Sequence, residues 1–84
     1  MTPLVAGAVA KRKLSYKEQR ELTTLPGRIE ALESERASLD TTMASSAFYK
    51  EPADVIARVM GRSAEVDQEL LTAYARWDAL DSRS

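Results

Sequence analysis

The chain has 84 residues, 30% of them charged, with twelve basic and thirteen acidic side chains and a net charge of −1. That length allows one small domain with limited capacity to bury a core. Neither cysteine nor histidine occurs, which excludes a disulfide framework, zinc or haem ligation of the usual kinds, and any Ser–His–Asp or Cys–His catalytic set.

In chain order, the first feature is "LVAGAVA" (4–10), the only apolar run near a terminus. It is too short to span a bilayer, and its positive charges follow it, the wrong order for a secretory signal. Residues 1–12 are read as a flexible Ala-rich linker, and the folded domain is expected over 13–84. "KLSYKEQREL" (13–22) opens a helix, because Ser15 is a good N-cap and Glu18 completes a capping box three residues later. This helix is expected over about 16–24. Pro26 costs on the order of 3 kcal/mol inside a helix but little in a first turn, so it predicts a break and a second helix over 26–44.

The second segment carries Ile29, Leu32, Arg36, Leu39 and Met43 at spacings of 3, 4, 3, 4. That is a heptad seam facing a partner helix, and its phase extends back to Leu25 and Leu22. A turn is expected over 45–51, after which Pro52 suits a third helix over 52–81. There Ile56, Val59, Ser63, Val66, Leu70, Ala73, Trp77 and Leu80 repeat the 3, 4 spacing over three and a half heptads. A connection of about eight residues makes the two heptad segments antiparallel. At 1.5 Å per residue the last helix spans about 43 Å and the second only about 28 Å. The short first helix is therefore expected to cover the far end, with Leu14, Leu22 and the ring of Tyr16 meeting Trp77. The predicted fold is all-α: an antiparallel two-stranded coiled-coil hairpin with a short N-terminal helix set off by a proline break. Two registers satisfy the seam. One sets Ile29 opposite Val66 and Leu25 opposite Leu70, and the other sets Ile29 opposite Ala73; a loop centred near Ala47 favours the first.

Catalysis has no support. The three glycines are isolated, so no Gly-rich phosphate loop exists, and the carboxylate pairs Glu30/Glu33 and Glu65/Glu69 read as solvated positions pairing with Arg28 or Arg62. Arg36 stands in the seam, where its stem packs and its guanidinium reaches solvent or a carboxylate, or where it fixes the register. Phe48 and Tyr49 are expected to turn inward and close the hairpin tip; the alternative is stacking on bases. Trp77 is read as a core anchor.

Charge is segregated. Residues 1–28 carry six basic side chains against two acidic ones, a net +4, while 29–84 carry six against eleven, a net −5. Lys11, Arg12, Lys13, Lys17 and Arg20 cluster around the first helix, and Lys50, Arg58 and Arg62 form a second group towards the tip. Such groups attract phosphates by counterion release without reading sequence. On composition alone, their other role is to keep a helical hairpin soluble.

Together "KLSYKEQREL" (13–22), "LPGRIEALE" (25–33), Phe48-Tyr49 followed by Pro52, and "YARWDAL" (74–80) resemble the C-terminal domain of Uup-type ABC-F ATPases. The resemblance covers roughly residues 13–81. The chain departs from it at the tip, where Ser45-Ser46-Ala47 replaces the Asp-Pro common ahead of the aromatic pair. It implies a cytoplasmic, DNA-binding coiled-coil hairpin without a membrane segment, belonging to a protein that works with ATP through two cassettes outside this chain; separately, the hairpin is expected to be a monomer. The fragment itself is expected to bind no cofactor and no metal and to be no enzyme. Because ABC-F proteins act on ribosomes, the resemblance leaves ribosomal RNA open as the ligand. A structural or protein-docking hairpin that positions the ATPase on the ribosome or on its own cassettes is the alternative.

Overall fold

The computed structural model describes residues 14–84; the 1–12 linker and Lys11, Arg12 and Lys13 lie outside the described residues. Two helices of 29 residues each, α1 (Tyr16–Ala44) and α2 (Ala53–Asp81), are joined by a 3₁₀ turn at Ser46–Lys50. They lie antiparallel along their heptad seams.

α1 starts where the capping box places it. The Ser15 hydroxyl accepts from the Glu18 amide at 3.1 Å, and the Glu18 carboxylate accepts from the Ser15 amide at 2.9 Å. Two otherwise unserved donors are thereby satisfied. At the other end, the Ser45 hydroxyl accepts from the Ala47 amide and starts the 3₁₀ turn. Pro52 caps α2, its carbonyl accepting from the Val55 and Ile56 amides.

The proline break does not exist: Pro26 lies inside α1, which runs uninterrupted from Tyr16 to Ala44. The physical reason is tertiary. Leu22, Leu25 and Ile29 bracket Pro26 in sequence, and all three pack on the same cluster against α2. Keeping their phase requires one rod through residue 26. Pro26 itself is exposed, so water can serve the Leu22 carbonyl that loses its amide partner.

The core is a thin strip in two connected clusters. Leu14, Leu25, Ala73 and Leu80 form one, with Leu22, Ile29 and Trp77 packed against it. Leu32, Val66 and Leu70 form the other, joined by Ile29 and Leu39. Ile29 and Leu22 pack on the cluster that holds Ala73 and Leu80, and Leu25 shares that cluster and does not join Leu70. The observed register is therefore the second of the two sequence alternatives, with Ile29 opposite Ala73. The 3₁₀ turn Ser46–Lys50 centres on Phe48, one residue past Ala47.

The leading segment covers the Trp77 end with Leu14 and Leu22, as expected, but without the ring of Tyr16. Leu14 is buried and Trp77 half-buried, whereas Tyr16 is 75% exposed and points away. At the tip Phe48 is buried, while Tyr49 stays 64% exposed and meets the Phe48 ring edge-to-face at 5.0 Å. Only one of the two aromatic rings closes the tip, because a strip this narrow has room for one.

Candidate nucleic-acid interface

Each long flank of the hairpin has its own chemistry. On one, Glu21, Arg28 and Glu35 stand seven residues apart on α1, opposite Arg76, Glu69 and Arg62 at the same spacing on α2. Arg76 donates to Glu21 from Nε and Nη2 at 2.7 and 2.9 Å, and Arg28 donates to Glu69 at 2.9 Å. Arg62 donates to Glu35 from Nε and Nη2 at 2.6 and 2.7 Å, and from Nη1 to Glu65 and Glu69. A seven-residue step on both antiparallel helices returns each pair to the same edge of the seam, which is why the ladder repeats. Isolated exposed ion pairs contribute little; these are forked and shared, the geometry in which such pairs count. Between two rungs a shallow groove opens over Leu25 and Ala73.

Of the expected site residues, Arg62 lies on this ladder. Arg62 faces three carboxylates, and its deprotonation is made harder first by the bond to Glu35, then by Glu65. Its half-exposed guanidinium is occupied by carboxylates of both helices along the flank. Arg58 lies 3.5 Å from the Asp54 carboxylate, with both side chains mostly exposed. Lys50 is exposed at the end of the 3₁₀ turn, next to Glu51. Of this second group, Arg58 and Arg62 are paired with acids and Lys50 is left without a carboxylate in ion-pair distance among the described residues.

The first group differs. Lys17 and Arg20 are exposed on α1, and among the described residues neither has a carboxylate within ion-pair distance. The nearest acids in sequence are already paired elsewhere: Glu18 accepts from both Nη atoms of Arg83 at 3.1 and 2.9 Å, and Glu21 accepts from Arg76. The Arg83 bond, followed by the Ser15 amide, holds the Glu18 carboxyl down at about 2. Glu21 is lowered chiefly by Arg76. Two acids that would otherwise cancel Lys17 and Arg20 are thus neutralised from α2, and a net positive patch is left at the start of α1. The Arg20 guanidinium carbon sits 5.8 Å from the Tyr16 ring centroid, a cation–π contact on the outer surface.

The opposite flank is mixed apolar and acidic. Tyr74 donates its hydroxyl to the Glu33 carboxylate, Arg36 reaches Asp67 at 3.3 Å, and Leu71 is 65% exposed beside them. Arg36 therefore runs its stem past the seam and ends on a carboxylate, as a long cationic side chain at an edge does. The expected pairing of Glu65 and Glu69 with Arg28 and Arg62 is present, but the sequence reading did not extend it to the Arg76–Glu21 and Arg62–Glu35 bonds that complete the ladder. It also did not find the outward Tyr16, whose position falls out of phase with Leu22, Leu25 and Ile29.

No described helix is long and apolar enough to cross a membrane. Among the described residues no cluster of acidic side chains is arranged to hold a metal ion.

Known proteins resemble the chain over nearly all of this structure. A family profile described as the ABC transporter C-terminal domain matches residues 13–82. The chain is 40% identical over 70 residues to the ATP-binding protein Uup of Escherichia coli strain K12, covering 83% of the chain and 11% of that protein. It is 39% identical over 71 residues to an ATP-binding protein Uup-like of Haemophilus influenzae strain Rd, covering 84% of the chain and 16% of that protein. The chain thus spans less than a fifth of the length of either relative. A solved structure, the C-terminal domain of the Uup protein described as a DNA-binding coiled coil motif, superposes with a TM-score of 0.80 at 38% identity, covering 83% of this chain and 82% of that one. By profile, sequence and shape, the chain belongs to the ABC transporter C-terminal domain family, among its Uup-type members.

Proposed function

We propose that the hairpin is a DNA-binding appendage that grips phosphates without reading base sequence. In this reading it serves a cytoplasmic ABC-F ATPase whose ATP-binding cassettes lie outside these residues. The observation that carries the proposal is the uncompensated pair Lys17 and Arg20 at the start of α1, with Lys11, Arg12 and Lys13 immediately ahead in sequence. The solved relative that binds DNA with the same fold supports it. Lys50 and Arg58 are secondary contacts in this reading, and Arg62 is a structural cation. ATP binding is assigned elsewhere because the residues here do not suit it: Gly27 and Gly61 each stand alone inside a continuous helix, where no phosphate loop can form. With both seams satisfied by one chain, the hairpin acts as a monomer.

The test is a titration of the 84-residue chain with a DNA duplex and with a ribosomal RNA helix over a salt series from about 50 to about 200 mM, the range in which counterion release is steep. The double variant Lys17→Ala/Arg20→Ala should bind duplex DNA several-fold more weakly, with a log–log salt slope shallower by roughly 2, since each phosphate contact contributes about 0.9. An unchanged affinity and slope would remove the assignment. Preference for the RNA would move the ligand to the ribosome.

A second reading rests on the other flank. The exposed Leu71 and Tyr74, beside half-buried Trp77, suit docking to a protein. Salt-insensitive binding to a protein partner, with none to nucleic acid, would favour it.

A further inference from the structure

We infer that the start of α1 takes up an unpaired base, with the ring of Tyr16 as the stacking surface and Lys17 and Arg20 holding the adjoining phosphates. The inference rests on the nucleic-acid reading above and adds the class of substrate: a strand with bases out of the duplex. At 75% exposure Tyr16 is the most exposed large hydrophobic side chain among the described residues, on a fold whose small core gains from every ring it can cover. Tyr16 cannot roll inward. Leu14, two residues ahead, is buried in the same cluster as Leu25 and Leu80, and the Ser15–Glu18 capping box fixes the first turn between them.

The surroundings of the ring single it out among the exposed tyrosines. Tyr74 is tied to the Glu33 carboxylate, a setting that repels phosphate. Tyr49 stands among Lys50, Glu51 and an Arg58–Asp54 pair, a locally neutral tip. Tyr16 sits beside two cations, Lys17 and Arg20, that lack a described acidic partner, against one, Lys50, beside Tyr49. Arg20 lies over its ring at 5.8 Å, and its exposure leaves the rest of the ring to solvent. An aromatic platform beside a cationic track is the arrangement that binds single strands with little sequence preference, because every base has a flat face. In an intact duplex the bases are already stacked on one another, and only the phosphates are offered to this surface.

The experiment compares a labelled oligothymidylate with a duplex of equal length, each titrated with the 84-residue chain and with three variants. Tyr16→Ala should lose about tenfold in affinity for the oligothymidylate, a typical effect of removing one stacked ring. Its duplex affinity should stay as it was, so the ratio of the two affinities reports the ring separately from the charges. Tyr16→Phe should keep the native ratio, since stacking needs the ring and not the hydroxyl, and Tyr49→Ala should leave it unchanged. Circular dichroism melts confirm that each variant is folded, as expected for exchanges at exposed positions. If Tyr16→Ala binds the oligothymidylate as tightly as the native chain, or loses equally on both ligands, stacking is refuted while the nucleic-acid reading stands. If neither ligand binds the native chain, both fall together.

Discussion

Glu18 takes part in two contacts at once, closing the capping box with Ser15 and receiving the fork of Arg83 from the far end of α2. Both contacts favour its charged form, so its pKa falls from the ordinary 4.5 to about 2, with Arg83 the larger cause. Glu21 and Glu35 shift the same way, mainly through Arg76 and Arg62. A carboxylate lowered on folding contributes its full stability above the unfolded pKa and loses it as pH falls through the folded one. The melting temperature should therefore be level near neutrality and decline as pH drops from about 4.5 towards 2. Glu18→Gln, which can still cap but cannot pair as an ion, should show a shallower decline in melts followed by circular dichroism. A second contrast belongs at this scale. Arg62→Ala should lower the melting temperature and leave duplex DNA affinity nearly unchanged, whereas Lys17→Ala should do the reverse. Equal effects of the two on binding would mean that Arg62 is not held by its carboxylates in solution.

Among the elements, α1 shows local preference overruled. Pro26 and Gly27 are the two residues least suited to a helix interior, and they stand together near the middle of an unbroken one. Neither serves a turn there, since no glycine in the described chain has positive φ. A methyl group at Gly27 or Gly61 would meet nothing within 4 Å. Gly27→Ala and Gly61→Ala should each raise stability by about 0.5–1 kcal/mol in urea unfolding, by removing backbone entropy from the unfolded chain. Pro26→Ala should give more, up to about 3 kcal/mol, by restoring a helical amide. Destabilisation by Gly61→Ala would mean that α2 is not regular at that point. Capping at Ser15, by contrast, was legible from four residues, because each partner of a capping box lies within one turn.

Viewed whole, the molecule is a strip of side chains held between two rods, with few residues fully out of water. Leu80 and Val66 have no exposed surface, and Leu80 lies at the open end where the leading turn of α1 folds over it. Leu80→Ala should cost about 2–5 kcal/mol, the usual range for a buried leucine whose cavity cannot close. A urea midpoint unmoved by that change would show that the first turn of α1 is not docked on α2. By itself the sequence determined that the chain is helical, that two heptad seams zip antiparallel, where α1 begins and near which residues it turns. Those features rest on spacing and on contacts within a turn, which the order of residues states directly. Tertiary structure alone decided the unbroken passage through Pro26, the choice of the register that sets Ile29 opposite Ala73, and the pairing of Glu18 and Glu21 with Arg83 and Arg76. It also decided that Tyr16 faces outward while Arg62 is held by carboxylates of both helices. These depend on which side chains two separate helices bring to the same edge, and a one-turn difference in register changes every such pairing while leaving the local pattern of either helix as it was.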